Sequence, residues 1–304
     1  MITIREKVEL IGDGLHSGRQ CRVVIDQTSR KGIFFKNLSN GIEELVSEKT
    51  LFGSTLGTNF VFEHDRSAKI MTVEHLLGTL LLMGVTNAII SVDGCEIPIM
   101  DGSGKDFADV IKQAGLVRVT EALSENGMNS FEIPIKEDAI QPKRSVTTEF
   151  EVRVGDKFVR IKPRDDQMVG VFVKIQFDNE CVSAMPQERR FTFSLDDPSL
   201  VTSARTFGFK SDIDELLSRG LVLGGCLSNA ILIDKLSVIN PNGLRFDDEI
   251  VTHKMLDLIG DLSPIFYNYC GFDIECFKCG HKINNEFLVE FTKINDGLKT
   301  AKVM

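Results

Sequence analysis

Three polar residues, His253, Asp257 and Asp261, occur at four-residue intervals in the segment HKMLDLIGD. With about 100° of rotation per residue, an α-helix would place all three on one side and the apolar residues of the segment on the other. Imidazole and carboxylate groups one turn apart can ligate one metal ion. The solvated face of a surface helix would show the same pattern, so the spacing predicts a helix and leaves its function open.

A second pair, Glu74–His75, stands near the start of the most apolar helical pattern in the chain. We predict this helix from Thr72, as its N-cap, to Met83. Burial of a carboxylate beside an imidazole costs free energy unless the groups are paired or bound to a metal. Alternatively, the carboxylate stabilises the helix dipole and the histidine is only hydrogen-bonded. Both interpretations stay open at this point.

His281 follows two cysteines, Cys276 and Cys279, in a C-x-x-C-x-H pattern. Such a pattern could form part of a zinc site or a redox pair. No second ligand pair of the usual spacing accompanies it, and no βαβ unit begins before it. We therefore interpret the cysteines as the end of a strand, with His281 on the following loop, where catalytic groups are common. A redox role would require the two cysteines to face each other.

The first half of the sequence contains patterns that could position such groups. Alternating runs at 20–27 and 32–38 predict strands. The apolar stretch 73–92 is interrupted by polar residues, so we expect a buried helix followed by a strand, not a membrane span. An amphipathic helix is predicted from Lys105 and ends at Gly115.

A polar segment with a turn signal at Asn126–Gly127 separates the two halves. Strands resume after it, helical patterns follow at 210–219 and 248–262, and a final strand and helix complete the chain. Each half thus contains several strands and two helices, without a clear sequence repeat. The pattern predicts two α+β domains, residues 1–122 and 123–304.

Composition narrows the class of protein. The 304 residues are 42% hydrophobic and 26% charged, as in globular proteins. A net charge of −9 argues against broad nucleic-acid binding. The N-terminus lacks the apolar region of a secretory signal, and seven cysteines, an odd number, suggest reduced thiols. We expect a cytoplasmic protein that neither binds nucleic acid nor inserts stably into a membrane.

Six motifs occur together in one order: GDGLHSG, TVEHLLGTLLLMGVTNAIISVDGCEIPIMDGSG, SARTFGF, RGLVLGG, GLRFDDEIVTHKMLDLIGDL and GHKINN. They resemble the zinc-dependent UDP-3-O-acyl-N-acetylglucosamine deacetylase family of lipid A biosynthesis, as far as about residue 290. The resemblance implies two domains, each a β-sheet layered with two α-helices. The helical layers would pack together, with the active site at the domain junction. The implied reaction hydrolyses the 2-acetamido group of UDP-3-O-(3-hydroxyacyl)-N-acetylglucosamine to acetate and the free amine.

The resemblance also implies one catalytic zinc ion, held by His75, His253 and Asp257. Three protein ligands leave a fourth position open, as in catalytic zinc sites. Iron(II) would suit the same ligands, because ligand type alone discriminates poorly between these ions. Glu74 would be the general base that deprotonates the attacking water.

Three further residues would complete the chemistry by the same resemblance. His281 would stabilise the oxyanion as a cation and protonate the leaving amine. Asp261 would orient His281 and favour its charged form. Thr206 would donate a hydrogen bond to the developing oxyanion.

Substrate-binding residues follow from the resemblance as well. Lys254 would contact the sugar nucleotide and Lys157 its diphosphate, while His16 would lie near the phosphates or behind the contacting residues. Phe177 would stack on the uracil and Phe207 would face the sugar ring. Segment 210–232 would form the passage for the acyl chain, lined by Ile213, Leu216, Val222, Gly225 and Ala230.

The chain departs from the family pattern at 139–150, which looks like an insertion, and in a short C-terminal end. The preferred acyl length therefore stays open. We expect a monomer. Two other functions are possible: a zinc amidohydrolase acting on another acylated sugar, or a non-catalytic homologue. The second would have lost a metal ligand or the base, and the sequence retains all of them.

Overall fold

A computed structural model of the chain describes residues 1–119 and 144–301. The domain boundary expected at residue 122 lies outside these residues, as does the first part of the insertion expected at 139–150.

Ten strands and two helices occur within residues 1–119. The strands are β1 (Ile2–Ile4), β2 (Val8–Asp13), β3 (Gln20–Asp26), β4 (Gly32–Asn37), β5 (Glu43–Leu45), β6 (Leu51–Gly53), β7 (Thr58–Val61), β8 (Lys69–Ile70), β9 (Asn87–Asp93) and β10 (Leu116–Arg118). The helices are α1 (Glu74–Leu82) and α2 (Lys105–Ala114).

Residues 144–301 contain nine strands and six helices. The strands are β11 (Arg144–Ser145), β12 (Phe150–Val154), β13 (Lys157–Pro163), β14 (Val169–Lys174), β15 (Glu188–Thr192), β16 (Phe207–Phe209), β17 (Ile231–Ile233), β18 (Tyr269–Cys270) and β19 (Phe272–Phe277). The helices are α3 (Glu180–Ser183), α4 (Ser199–Ser203), α5 (Ile213–Ser218), α6 (Glu249–Asp261), α7 (Ser263–Asn268) and α8 (His281–Ala301). One 3-10 turn, Lys210–Asp212, precedes α5.

The predicted α+β class is confirmed, and all five helices expected from the sequence are present, as α1, α2, α5, α6 and α8. Besides the two long helices α6 and α8, the second half has four short ones of four to six residues. The prediction of Thr72 as an N-cap is wrong. Thr72 lies outside α1 with a φ of 58°, and its hydroxyl donates to the buried carboxylate of Glu96 instead of capping the helix (2.9 Å).

The two halves share one sheet topology that the sequence did not reveal. Each contains a five-stranded sheet, with strand order β2-β3-β9-β4-β5 in the first half and β12-β13-β19-β14-β15 in the second. In both sheets the central strand is the last in sequence, antiparallel to one neighbour and parallel to the other. A long helix precedes each central strand and another follows it, so α1 corresponds to α6 and α2 to α8.

The corresponding helices α1 and α6 pack directly against each other in an antiparallel arrangement. A Cβ atom added at Gly260 would lie 2.0 Å from the carbonyl oxygen of Glu74, and one at Gly78 would lie 2.9 Å from that of Leu256. Only glycine permits two helix backbones to approach so closely. Glu74 and His75 are therefore brought against the C-terminal half of α6.

Other close contacts join the halves around this helix pair. A Cβ atom at Gly53 would lie 1.9 Å from the carbonyl oxygen of His281, and Asn285 donates to the carbonyl of Leu51 (2.7 Å). The start of α8 is thus held by the first half of the chain. Within the described residues, no helix has both the length and the apolar composition needed to cross a membrane.

Candidate active site

A cavity of about 540 Å³ opens between the two halves. The first half contributes the loop residues Leu15 and His16 and the turn residues Thr55 and Leu56. Polar groups of α6 and α8, apolar side chains of α5 and the loop after it, and the rings of Phe177, Phe207 and Phe209 form much of the rest of the wall. The cavity therefore combines a charged surface with an apolar one, as expected for an amphiphilic ligand.

The carboxylate of Asp257 is the centre of the charged surface. Its Oδ1 lies 3.4 Å from Nε2 of His75 and 3.3 Å from Nε2 of His253. The other oxygen, Oδ2, accepts a hydrogen bond from Lys254 Nζ at 2.7 Å. Oδ1 is buried and has no partner of good hydrogen-bond geometry among the described residues. A buried, unsatisfied carboxylate oxygen between two imidazole nitrogens is the expected arrangement of a metal site.

The distances fit zinc. With metal–ligand distances near 2.0–2.1 Å, the edges of a zinc tetrahedron measure roughly 3.3 Å, which both separations match. The ring of His253 is oriented by the carbonyl oxygen of Ala204, 3.0 Å from Nδ1. Because Nδ1–H donates to that oxygen, the Nε2 lone pair points toward Asp257 and His75. The three residues could thus hold one ion.

The protonation states of His253 and Asp257 suit a bound cation. Burial lowers the pKa of His253 to about 4, so its imidazole is neutral near pH 7. Burial opposes ionisation of Asp257, but His253 and Lys254 outweigh it and hold the pKa of Asp257 well below its usual range. A neutral imidazole and an ionised carboxylate are the protonation states that metal ligation requires.

Glu74 reaches the same centre from the first turn of α1. Its side chain is buried, and Oε2 accepts a hydrogen bond from the backbone N–H of Thr58 (2.9 Å). Burial raises the pKa of Glu74, which suits a group that must accept a proton near neutral pH. Atoms of Glu74, Asp257 and His281 all lie within 4.8 Å of one another.

His281, the first residue of α8, contacts Asp261 and faces Asp257. Its Nδ1 lies 2.9 Å from Oδ2 of Asp261, and its Nε2 lies 4.0 Å from Oδ2 of Asp257. Burial disfavours the charged imidazole, but the charge and hydrogen bond of Asp261 outweigh it and raise the pKa of His281 to about 9. His281 is therefore cationic near pH 7, with Nε2 free to donate toward the cavity.

Asp261 is held by two residues that sequence reasoning missed. The hydroxyl of Thr58 donates to its Oδ1 (2.6 Å), and the amide of Asn284 donates to its Oδ2 (2.7 Å). Asn284 lies one helical turn after His281, which is a signal in the sequence. Thr58 lies 203 residues from Asp261, and no local pattern connects them.

Glu96 is a third residue that sequence reasoning missed. Its fully buried carboxylate accepts hydrogen bonds from the backbone N–H groups of His16 (2.9 Å) and Ser17 (2.8 Å). It also accepts a hydrogen bond from the hydroxyl of Thr72 (2.9 Å). Glu96 therefore connects the loop of His16 to the segment that leads into Glu74. A lone charge within the apolar run EIPIM could have indicated it.

Thr206 lies in the cavity wall just before β16. Its backbone N–H donates to the carbonyl of Gly102 (2.7 Å), and its carbonyl accepts from Ile231 (2.8 Å). The preceding residue, Arg205, forms a buried ion pair with Glu249 (2.8 Å). These contacts fix the backbone of Thr206, so its side chain is presented from a rigid segment.

Most of the residues expected to contact substrate line this cavity. Phe177 and Phe207 meet edge to face in its wall, with ring centroids 5.5 Å apart. The other expected residues in the wall are His16, Ile213, Leu216, Val222, Gly225, Ala230 and Lys254. Lys157 is the exception, since it is exposed at the start of β13 and does not line the cavity.

Comparisons with known proteins point to one family. The sequence profile described as UDP-3-O-acyl N-acetylglycosamine deacetylase matches residues 2–293. A protein of Wolinella succinogenes is 34% identical over 96% of this chain and 90% of its own length. Proteins of Vibrio campbellii (35%) and Haemophilus influenzae (34%) match over 94% of this chain and 88% of their own lengths. All three are named UDP-3-O-acyl-N-acetylglucosamine deacetylase.

Proposed function

Since this chain belongs to the UDP-3-O-acyl N-acetylglycosamine deacetylase family, we propose that it releases acetate from UDP-3-O-(3-hydroxyacyl)-N-acetylglucosamine in lipid A biosynthesis. The observation that carries the proposal is the unpartnered Oδ1 of Asp257, set between the Nε2 atoms of His75 and His253. The proposed base and acid, Glu74 and His281, stand around it.

The three residues His75, His253 and Asp257 would hold a single zinc ion. When bound, zinc would polarise the amide carbonyl and make a water molecule easier to deprotonate. Lys254 neutralises the second oxygen of Asp257 (2.7 Å), which orients the first oxygen toward the two imidazoles. Iron(II) is the other ion that this ligand set suits.

Two side chains would carry out the proton transfers, one as the base and the other as the acid. Glu74 takes a proton from the water as it attacks the amide carbon, which its raised pKa favours. The hydroxyl of Thr206 donates a hydrogen bond to the developing oxyanion. His281, kept cationic by Asp261, stabilises the same charge and then donates its proton to the leaving amine nitrogen. The products are acetate and a free amine.

The substrate would lie along the cavity according to its chemistry. Apolar side chains of α5 and the following loop suit the acyl chain, and the aromatic pair Phe177–Phe207 suits the uracil and the sugar ring. Lys157 does not line the cavity. It could contact the diphosphate only if that part of the substrate extended beyond the cavity mouth. Competition by UDP would test the nucleotide part, because an enzyme for another acylated sugar would be insensitive to it.

The acetate-release assay tests the central proposal. Zinc-loaded protein should deacetylate the substrate, and a chelator should stop it. Glu74→Gln removes the base without a change in volume, so we expect kcat to fall by about 10²–10⁴-fold while zinc stays bound. Glu63→Gln, on an exposed loop, is the matched control and should retain full activity. Full activity in Glu74→Gln would show that the base is another group.

Three further expectations complete the proposal. We propose that the chain works as a monomer, that its two domains meet near residue 122, and that it acts in the reducing cytoplasm. The last is supported by the cysteines: all seven lie in the described part of the chain and are free thiols.

A further inference from the structure

Cys276 and Cys279 face each other at the edge of the cavity. Their sulfur atoms lie 2.9 Å apart, with the thiol of Cys276 donating to the sulfur of Cys279. A redox role requires the two cysteines to face each other, and in the structure they do. Lys278 makes the contact possible because its φ of 51° turns the chain back after β19, whereas a continued strand would point the side chains apart.

The two sulfurs differ in their surroundings. Cys276 belongs to the central strand β19 and has 1% of its surface exposed, while Cys279 lines the cavity, where small molecules can reach it. Cys279 also stands just before the N-terminus of the 21-residue helix α8, which favours a negative charge there. The sulfur of Cys279 can therefore react first with a small molecule, and the sulfur of Cys276 can react with Cys279 in a second step.

The charges around Cys279 act in the same direction. The hydrogen bond from Cys276 and the ammonium group of Lys254 lower the pKa of Cys279, although its burial opposes this. Burial keeps the pKa of Cys276 well above its usual range, so Cys276 remains the thiol that donates. An accessible thiol of lowered pKa beside a partner thiol that keeps its proton is the usual arrangement of a thiol that is oxidised to a disulfide.

We propose that Cys276 and Cys279 form a reversible disulfide when a hydroperoxide enters the cavity, and that this modification switches off deacetylation. The sulfur of Cys279 attacks one peroxide oxygen, the O–O bond breaks, and the other oxygen leaves as an alcohol or water. The sulfur of Cys276 then attacks the resulting sulfenic acid and the S–O bond breaks. The hydroxide leaves as water with the Cys276 proton. In total, two thiols lose two electrons and two protons, and the hydroperoxide is reduced to an alcohol and water.

Oxidation would disturb the site through His281, two residues after Cys279. A disulfide requires a sulfur separation of about 2.05 Å, so the sulfurs must approach by roughly 0.9 Å from the observed 2.9 Å. Cys276 is fixed within β19, and the loop of Cys279 must therefore move. His281 begins α8 and depends on its 2.9 Å contact with Asp261. A displacement near 1 Å can reduce turnover by about 10²-fold.

The experiment treats the zinc-loaded full-length protein with hydrogen peroxide, removes the peroxide with catalase and alkylates the remaining thiols. We expect the peptide that contains both cysteines to lose two hydrogens in mass and to escape alkylation. In parallel, kcat should fall at least tenfold and recover with dithiothreitol. Cys181→Ala, a half-buried cysteine of α3 outside the cavity, is the matched control and should behave as the wild type.

Cys276→Ala and Cys276→Ser remove the buried partner and keep Cys279. Neither can form the disulfide, so peroxide should add oxygen to Cys279 and produce no two-hydrogen loss. A wild-type peptide that stays fully alkylated after peroxide would overturn the proposal, and so would a disulfide that leaves kcat unchanged. The inhibition rests on the proposed function, but mass reports the disulfide independently of activity. A protein that forms it yet never releases acetate would refute the function and not the thiol chemistry.

Discussion

At the scale of single residues, Asp261 organises the acid side of the site. Its carboxylate contacts His281, Thr58 and Asn284 within 2.6–2.9 Å. Three donors around one buried carboxylate fix its position and leave it little freedom to rotate. The orientation and charge of His281 therefore both depend on a group outside the proposed set of metal ligands.

Asp261→Asn should lower the pKa of His281. In the wild type, the charge of Asp261 overcomes burial and holds that pKa near 9. Without the charge, burial favours the neutral imidazole, and the pKa should fall below the ordinary value of about 6.5. The measurement is an NMR titration of the His281 imidazole in metal-free protein, which needs no activity.

The matched control is Asp165→Asn, at an exposed bend, which should leave the titration of His281 unchanged. A His281 pKa that stays near 9 in Asp261→Asn would mean that another carboxylate maintains its charge. In the active enzyme, the loss of the cation should also move the alkaline limit of activity to lower pH, since the acid would lose its proton earlier.

At this scale, residue types and motif order predicted which of the proposed site residues come together, but not the residues that support them. Glu74, His75, His253, Asp257 and His281 stand in recognisable motifs, and the structure brings them together. Thr58 and Glu96 act through contacts with segments far away in sequence, and these contacts exist only once the chain has folded. The sequence did not predict that Cys276 and Cys279 face each other. Their contact depends on the left-handed backbone conformation of Lys278, which a strand pattern does not reveal.

At the scale of elements, the crossing of α1 and α6 positions the proposed metal ligands. His75 comes from α1, and His253 and Asp257 come from α6. Their distances depend on how closely the two helix axes approach. Gly260 sets that approach, because its Cα faces the backbone of Glu74.

Gly260→Ala should destabilise the protein and separate the ligands. The added Cβ would lie 2.0 Å from the Glu74 carbonyl, and backbone cannot move aside as a flexible side chain can. We expect the free energy of unfolding to fall by about 3 kcal/mol, at the upper end of overpacking penalties. Denaturant titration measures this, and zinc affinity should fall with it. Gly208→Ala, where no atom lies within 4 Å of the added Cβ, should change stability far less, and equal losses would contradict the role of the crossing.

Periodicity predicted α1, α2, α5 and α6 well, since each begins and ends within a few residues of its pattern. The shared sheet topology could not be predicted, because pairing between distant strands leaves no trace in local alternation. Short elements such as β8 and α3 have two and four residues, too few to show a period. Their existence depends on tertiary contacts and not on propensity.

At the scale of the whole molecule, the site belongs to neither half alone. The proposed ligand His75 and the proposed base Glu74 come from the first half, and the proposed ligands His253 and Asp257 come from the second. A bound ion would therefore stabilise the packing of the halves as well as its own ligands, because the ligand set exists only in the folded chain.

Zinc should raise the melting temperature of metal-free protein. At a free concentration of 100 times the dissociation constant, the added stability is about 2.7 kcal/mol. Asp257→Asn keeps the side-chain volume and removes the ligand charge, so its melting temperature should respond to zinc much less. Asp214→Asn, exposed on α5, is the control and should respond as the wild type. An equal response in Asp257→Asn would place the ion elsewhere.

In each five-stranded sheet the central strand is the last in sequence, which affects the order in which the sheets can form during synthesis. Synthesis from the N-terminus delivers β9 early, so the first sheet can close while the second is still being made. The second sheet must wait for β19, which pairs with β13 and β14 across about a hundred intervening residues. A chain interrupted after Asp261 would already carry every metal ligand, yet β13 and β14 would still be open edges prone to aggregation. His281 emerges only after that strand, so the proposed acid joins the site last.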